Sequence, residues 1–421
     1  MPDTSQTPDL PGLEDTGGGG AWVPDRATGL ARLSGFAPRA AKAYAARRNY
    51  DFGPGRHDSV STLSPWIRHR LITEEEVLRA TLARHSPASA EKFVQEVFWR
   101  GYFKGWLEQR PTVWDSYQQG LRAALDRAEA DQTLRADYVA ATQGATGIDA
   151  FDHWADELTQ TGYLHNHARM WFASIWIFTL RLPWELGADF FLRHLMDGDP
   201  AANTLSWRWV GGLHTRGKTY QARASNIAKY TDGRFHPGHA LAHEAPPLSE
   251  TIEHPLRPLP PADATPDGDC LLLLTEEDCT IDHILPRPPL ACLGLMATGA
   301  RSALRPGEAA RGFAIGAVRD GVARAGADHG IPATMGDGDW AEAIAGAAHA
   351  AQVRDVVTGY APVGPVAERL RDIAPALRAQ GLTLHQIRRP YDDLAWPHAT
   401  RGFFALKKKI PAILRDLNLS A

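Results

Sequence analysis

A chain of 421 residues with 44% hydrophobic content can bury the cores of two domains, whereas one domain of that size would be unusual. Its formal net charge of −4, with 22% charged residues, excludes a global basic field, so any contact with nucleic acid has to rest on a local site. The three cysteines, Cys270, Cys279 and Cys292, are too few and too unevenly spaced for a disulfide framework or a zinc or iron–sulfur site, which favours a reducing cytoplasm.

In chain order, Met1 to about Gly20 is rich in Pro, Asp, Thr and Gly and has neither a basic start nor an apolar stretch, so residues 1–29 are expected to form a disordered tail. The glycines Gly17 to Gly20 follow no strand and belong to that tail. From there to residue 242 the apolar spacing is helical. Thr73 and Glu76 form a capping box, and periodic stretches run over about 89–108, 150–181 and 186–196. The most apolar run, Trp171 to Leu180, is bracketed by Arg169 and Arg181 and is half the length that crosses a bilayer, so it reads as a buried core helix and no membrane span is expected. Eleven of the thirteen tryptophans precede residue 265, which sets this half apart from the Ala-, Gly-, Val- and Leu-rich remainder.

Residues 243–268 hold the run Pro255–Leu256–Arg257–Pro258–Leu259–Pro260–Pro261, which sustains neither a helix nor a central strand and reads as a linker. Beyond it, over 269–421, short strands at Cys270–Leu274, Leu290–Met296, Arg354–Thr358 and Leu382–Ile387 alternate with helices at about 307–326, 338–351 and 363–379. This is the pattern of a smaller α/β domain with a parallel sheet. Neither a G-x-G-x-x-G after the first strand nor a phosphate-binding P-loop is present. His236, His239 and His243 with Glu244 have spacing suited to a metal, but the intervening Pro–Gly breaks a common face and a solvated loop is the better reading, so no metal is expected. Lys407, Lys408 and Lys409 read as a solvated basic run.

Three groups of residues in the helical half carry possible chemistry. Glu96, Trp99, Arg100 and Phe103 recur at three- and four-residue steps and so place a carboxylate, an indole and a guanidinium on one side of a helix. Asn166, Arg169 and Met170 share a face at the edge of an aromatic core. The turn Asp197–Gly198–Asp199–Pro200–Ala201–Ala202–Asn203 then brings two carboxylates and an amide into Trp207–Arg208–Trp209. An Asp197–Arg169 pair could flank a polar ligand, and Asn203 offers a donor and an acceptor to a heteroaromatic ring; helix capping is the bland alternative for the turn.

Taken in order, Ser61–Thr62–Leu63–Ser64–Pro65, Glu96–Val97–Phe98–Trp99–Arg100–Gly101–Tyr102, Thr161 through Met170 and Asp197 through Trp209 resemble the FAD-binding domain of DNA photolyases and cryptochromes, over about residues 30 to 240. The resemblance implies a mainly α protein with an all-helical FAD-binding domain at 30–242. FAD phosphates would lie on Ser61, Thr62, Leu63 and Ser64, with Arg100, Asn166, Arg169, Asp197 and Asp199 around the flavin and Asn203 facing its N5. It implies that Glu96, Trp99, Asn166, Met170 and Trp209 receive a pyrimidine dimer flipped from damaged DNA, a set closer to cyclobutane-dimer enzymes than to (6-4) enzymes. It also implies that Trp207 and Trp184 are the proximal and middle members of an electron-transfer chain. The distal member has no match, so the terminal donor is Tyr138, another tryptophan such as Trp176, or absent. In typical members the α/β antenna domain comes first; here an antenna-like pattern follows, ending in Thr400 through Lys408, which implies a permuted order. No residue contacting a second, antenna chromophore is matched. The expected activity is light-driven splitting of cyclobutane pyrimidine dimers by a deoxyribodipyrimidine photo-lyase-like enzyme. Its rivals are a blue-light photoreceptor signalling to a protein partner and a non-catalytic FAD-binding relative.

Overall fold

The computed structural model of the protein describes residues 22–419. The tail expected over residues 1–29 therefore lies largely outside the described residues, and its last part is ordered. Helix α1 (Arg26–Phe36) starts there, because Asp25 caps it by accepting from the Thr28 N–H at 2.6 Å and the Trp66 indole donates to the Val23 and Asp25 carbonyls.

The helical half continues with α2 (Lys42–Arg47), α3 (Ser64–Arg68), α4 (Glu74–Leu82), α5 (Glu91–Glu108), α6 (Thr112–Ala130), α7 (Gln132–Thr142), α8 (Asp149–Thr161), α9 (Asn166–Ser174), α10 (Trp184–His194), α11 (Pro200–Val210) and α12 (Ala224–Tyr230). The Thr73–Glu76 capping box forms at the start of α4. The periodic stretch 150–181 is not one helix. Gly162 takes a left-handed φ of +68° at the end of α8, and His165 caps α9 through its ring nitrogen, so the chain turns between them. A π-helical turn, Ile175–Thr179, then extends α9. Trp114, Trp154, Trp171, Trp176 and Trp207 are fully buried in the aromatic core these helices enclose. Among the described residues, no helix is long and apolar enough to cross a membrane.

Residues 243–268 form neither helix nor strand. They are tied down along their length: Glu250 accepts from both Arg208 terminal nitrogens, the Arg257 N–H donates to the Gln109 carbonyl, and the Asp263 N–H donates to the Gln386 carbonyl while its carboxylate accepts from the Gln386 N–H.

The second half holds β1 (Cys270–Leu274), β2 (Ala291–Gly294), β3 (Ala333–Met335), β4 (Asp355–Gly359) and β5 (Thr383–Ile387) in the order β3-β2-β1-β4-β5, every pair parallel. Every residue of β1 is buried, as befits the central strand of a sheet covered on both faces. The helices are α13 (Glu308–His329), α14 (Trp340–Ala350), α15 (Pro365–Ala379), α16 (Pro390–Ala395), α17 (Phe403–Lys407) and α18 (Ile410–Asp416). β3 is absent from the sequence reading because its three residues are partly or well exposed and carry no apolar run. The protein is thus mainly α with a five-stranded parallel α/β region, the expected fold class.

The halves share one hydrophobic core. Trp66 meets Phe313 edge to face at 5.2 Å, Phe98 meets Tyr391 at 5.4 Å, and Trp99 lies flat on Phe403 at 3.9 Å. Gly105 of α5 marks a close approach of the two halves, since a Cβ there would stand 2.7 Å from the Cα of Trp396. Because backbone cannot yield as a side-chain tip can, Gly105→Ala is expected to destabilise the protein by about 2 kcal/mol through overpacking. Urea unfolding checks this, and an unchanged midpoint would refute the close contact.

Candidate functional site

The site is built where the entry to α3, the middle of α5 and the turn between α10 and α11 meet. Thr62 precedes α3 with φ +50°, a conformation that costs a β-branched residue on the order of 1–3 kcal/mol. Its hydroxyl holds that conformation, donating to the Ser61 carbonyl and accepting from Arg32 Nη1, both at 2.7 Å. Arg32 in turn lies against both rings of the stacked Trp22–Trp66 pair. This directs Ser64, at the first position of α3, toward Asp197, whose carboxyl its hydroxyl helps to lower.

Asp197 is buried and pairs with Arg169 of α9 at 3.1 Å, while Arg169 Nε donates to the Leu164 carbonyl and so is fixed to the turn before its own helix. Burial pushes the Asp197 carboxyl up, but Arg169, Arg100 and the Ser64 hydroxyl outweigh it and hold the group below the usual carboxylate range. Its second oxygen, Oδ1, is buried without a hydrogen-bond partner, as is Arg100 Nη1.

Asp199 caps α11 by accepting from the Ala202 N–H at 2.8 Å. Its other oxygen faces three cations: Lys104 at 3.6 Å, and Arg68 and Arg100 each at 3.8 Å. Against the cost of burial, Lys104, Arg68 and Arg100 depress its carboxyl strongly. Lys104 and Arg68 are site residues that the sequence reading passes over. Lys104 could have been found, because it lies one turn beyond Arg100 on the same face of α5. Arg68 could not, because its main partner is Glu277, 209 residues away.

Ser64, Arg100, Arg169, Asp197 and Asp199 therefore come together. Asn203, one turn along α11 from Asp199, is buried, but its amide nitrogen is already committed to the Ala188 carbonyl at 2.8 Å, which leaves its oxygen for other contacts. One turn further, Trp207 is buried with its indole N–H unpaired, and its ring contacts run to Phe172, Trp176 and Phe191. Trp184, also buried, packs on Tyr117 instead. Ser61 and Leu63 remain at the α3 entry, where the Leu63 N–H points to the Ser61 hydroxyl at 3.4 Å.

Of the other five expected residues, Glu96 and Trp209 are linked through intermediaries, whereas Trp99, Asn166 and Met170 stand apart from that link. Glu96 of α5 forms an ion pair with Arg48, and burial raises its carboxyl above the ordinary range despite that partner. Arg48 is followed by Asn49, whose carbonyl contacts His167 of α9 at 2.9 Å; His167 also meets the Tyr220 hydroxyl at 3.3 Å, and Tyr220 stacks on Trp209. Asn166 is exposed at the start of α9 and Met170 is half-buried one turn later. Trp99 has Phe403 against one of its faces. Among the described residues there is no cluster of three His, Cys, Asp or Glu side chains able to hold a metal.

Residues 93–236, which span α5 to the end of α12 and hold most of this constellation, match the family model for the FAD binding domain of DNA photolyase. The helical half thus carries a FAD-binding domain of the photolyase/cryptochrome type. A deoxyribodipyrimidine photo-lyase of Synechococcus is 31% identical over 212 residues, covering 48% of this chain and 42% of that protein. The Thermus thermophilus one is 34% identical over 197 residues, covering 45% and 43%. The chain thus spans less than half the length of these curated relatives. A class III photolyase from Agrobacterium tumefaciens superimposes with a TM-score of 0.43 at 26% identity, covering 52% of this chain and 46% of that one. The constellation suits the cofactor for which this domain is named. Asp197 Oδ1 and Arg100 Nη1 are a buried acceptor and donor beside an ion pair, as the N–H and C=O edge of an isoalloxazine requires.

Proposed function

We propose that the protein binds FAD in its helical half and uses light to split cyclobutane pyrimidine dimers in DNA, in the cytoplasm. The convergence of Ser64, Arg100, Arg169, Asp197 and Asp199 supports the cofactor reading most directly, because it gathers buried, partly unsatisfied charge at one place. Arg169 and Asp197 would hold the polar edge of the ring, Asn203 would present its amide oxygen to the ring's centre, and Ser61 through Ser64 would receive the phosphates. When bound and reduced, FAD supplies the photoexcited electron that opens the cyclobutane ring.

The chain's own part in repair is to receive the extruded bases. Trp99 keeps one face away from Phe403, Trp209 is half-buried on Tyr220, and both offer stacking surfaces to a flipped dimer. Glu96, held by Arg48, would hydrogen-bond a base edge. Asn166 and Met170, one turn apart on α9, would border the same pocket. A second chromophore, if one is used, would sit in the cavity of about 670 Å³ at the C-terminal ends of β2 and β3, lined by Met296, Thr298, Arg319, Met335 and Asp337. That edge is where parallel α/β sheets take ligands.

Illuminating the reduced, FAD-loaded protein with a dimer-containing oligonucleotide is expected to restore thymines, as read by chromatography. Glu96→Ala should lower that turnover by roughly 10- to 100-fold, a loss of about 1.4–2.8 kcal/mol of interaction, with flavin absorbance retained. Bound flavin with no thymine recovery would sink the repair reading in favour of a photoreceptor signalling to a protein partner. Loss of flavin from Glu96→Ala would show that its helix face belongs to the cofactor.

A further inference from the structure

We propose that electrons enter the flavin site through Trp207, Trp176 and Tyr138, with Tyr138 as the solvent-side donor and Trp184 off the route; this rests on the FAD reading above. Two aromatic branches lead away from the α10–α11 region. In the first, Trp176 meets Trp207 edge to face at 6.1 Å, and Tyr138 meets Trp176 at 6.1 Å. In the second, Trp184 packs on Tyr117 at 5.8 Å and Tyr117 on Trp114 at 5.2 Å.

The branches differ at both ends. The ring contacts of Trp207 include Trp176, and α10 is shaped to permit that one. Gly187 has no side chain where a Cβ would stand 2.3 Å from Trp207 Cη2 and 2.8 Å from Trp176 Cε2, so both indoles close onto the helix backbone. The π-helical turn Ile175–Thr179 carries Trp176, and its indole N–H is fixed by the Pro183 carbonyl at 2.9 Å. Such turns are wider than an α-turn and recur at functional positions.

At the outer ends the contrast is larger. Tyr138 is half-buried near the surface, and its oxygen accepts from Arg193 Nη2 at 3.3 Å, which leaves its own proton free to depart. Arg193 is itself anchored by Asp189 at 2.7 Å. The second branch stays inside: Tyr117 is 1% and Trp114 2% exposed, and the Trp114 indole donates to Glu368 of the α/β half at 2.7 Å. A hole that reached Trp114 could pass its indole proton to Glu368 but would stay out of reach of a soluble reductant.

The electron count closes. Trp207 gives one electron to the photoexcited flavin, Trp176 replaces it, and Tyr138 replaces that of Trp176 while releasing its phenolic proton to water. The resulting neutral tyrosyl radical is quenched by hydrogen-atom transfer from a soluble thiol.

The test is flash photolysis with electron paramagnetic resonance on the full-length protein loaded with oxidised FAD, in wild type and in the Trp176→Phe, Tyr138→Phe and Trp184→Phe variants. Wild type is expected to show a tyrosyl signal that narrows when the protein is grown on ring-deuterated tyrosine. Tyr138→Phe, at a half-buried position where folding is not at stake, should lose that signal and show only a short-lived tryptophan radical. Trp176→Phe should lose the tyrosyl signal as well and leave only the short-lived radical of Trp207. A tyrosyl signal that survives Tyr138→Phe, or one removed only by Trp184→Phe, overturns the route. A protein with no flavin absorbance would instead defeat the FAD reading and the route with it, so the two failures are told apart by the visible spectrum.

Discussion

Arg70→Met is expected to lower the thermal midpoint by roughly 5 °C, the scale that a loss of about 3–5 kcal/mol from a broken buried ion network implies in a chain of this length. Arg70 directly follows α3 and its neighbours, and its guanidinium donates to both oxygens of Asp392, at 2.8 and 2.6 Å, with Glu74 and Asp278 each at 3.4 Å. Asp278 is gripped in parallel by Arg389 at 2.6 and 2.7 Å. All of these groups are buried, so methionine would leave three carboxylates sharing the charges of Arg389 and Lys104. Because Arg70 belongs to the helical half and Asp278 and Asp392 to the α/β half, the loss falls on the joint between them. Differential scanning calorimetry checks this. A shift no larger than that of a surface substitution would show that the network is screened by water.

The same groups set the response to acid. Burial raises the Asp278 carboxyl, but Arg389 and Arg70 outweigh it and hold it below its ordinary value, and Asp197 and Asp199 are lowered in the same way. A carboxyl lowered by folding contributes stability that is complete above its unfolded value of about 4 and is lost as pH falls through the folded value. Asp392 has the opposite sign, since burial raises it more than Arg70 lowers it, and it therefore favours the folded state more as pH falls toward that ordinary value. Glu74 is lowered with Asp278, so the stability that this network contributes is expected to be lost below about pH 4, and the loss should be smaller in Arg70→Met.

What could be read from the sequence follows the range of the interactions. β1 is legible because Cys270 to Leu274 is an unbroken buried run, and the Glu96–Arg100 face is legible because helical spacing is local. Gly162 ends a helix inside a continuous apolar period, since the left-handed turn depends on its own conformation and not on the pattern around it. Nothing in the sequence singles out Arg68 and Arg70, because their partners Glu277 and Asp392 lie 209 and 322 residues away and are brought close only by the packing of the two halves. The neighbour of Trp207 is equally hidden. Trp176 and Trp184 are both at plausible spacings, and what selects Trp176 is the missing side chain at Gly187.

Arg169→Ala should remove FAD from the protein more effectively than any other single change at the site. Asp197 is buried with a side chain 4% exposed, and the pair is made to Arg169, whose side chain is 22% exposed. Taking away the guanidinium leaves the carboxylate with Ser64 and the more distant Arg100. A stranded buried charge of this kind costs about 3 kcal/mol, somewhat less than a fully enclosed pair because Arg169 is partly solvated. Part of that cost would be relieved by protonation, so the Asp197 carboxyl should move up and the affinity for flavin should depend on pH in the variant where it does not in wild type. If the pair borders the isoalloxazine, the loss in affinity is on the order of 100-fold, read by titrating FAD into the apoprotein and following the quenching of flavin fluorescence. Asp197→Asn separates the two contributions, since it removes the charge without stranding one, and it should weaken binding less. Equal affinity in wild type and Arg169→Ala would mean that this ion pair only ties the α10–α11 turn to α9, and that the ring lies elsewhere.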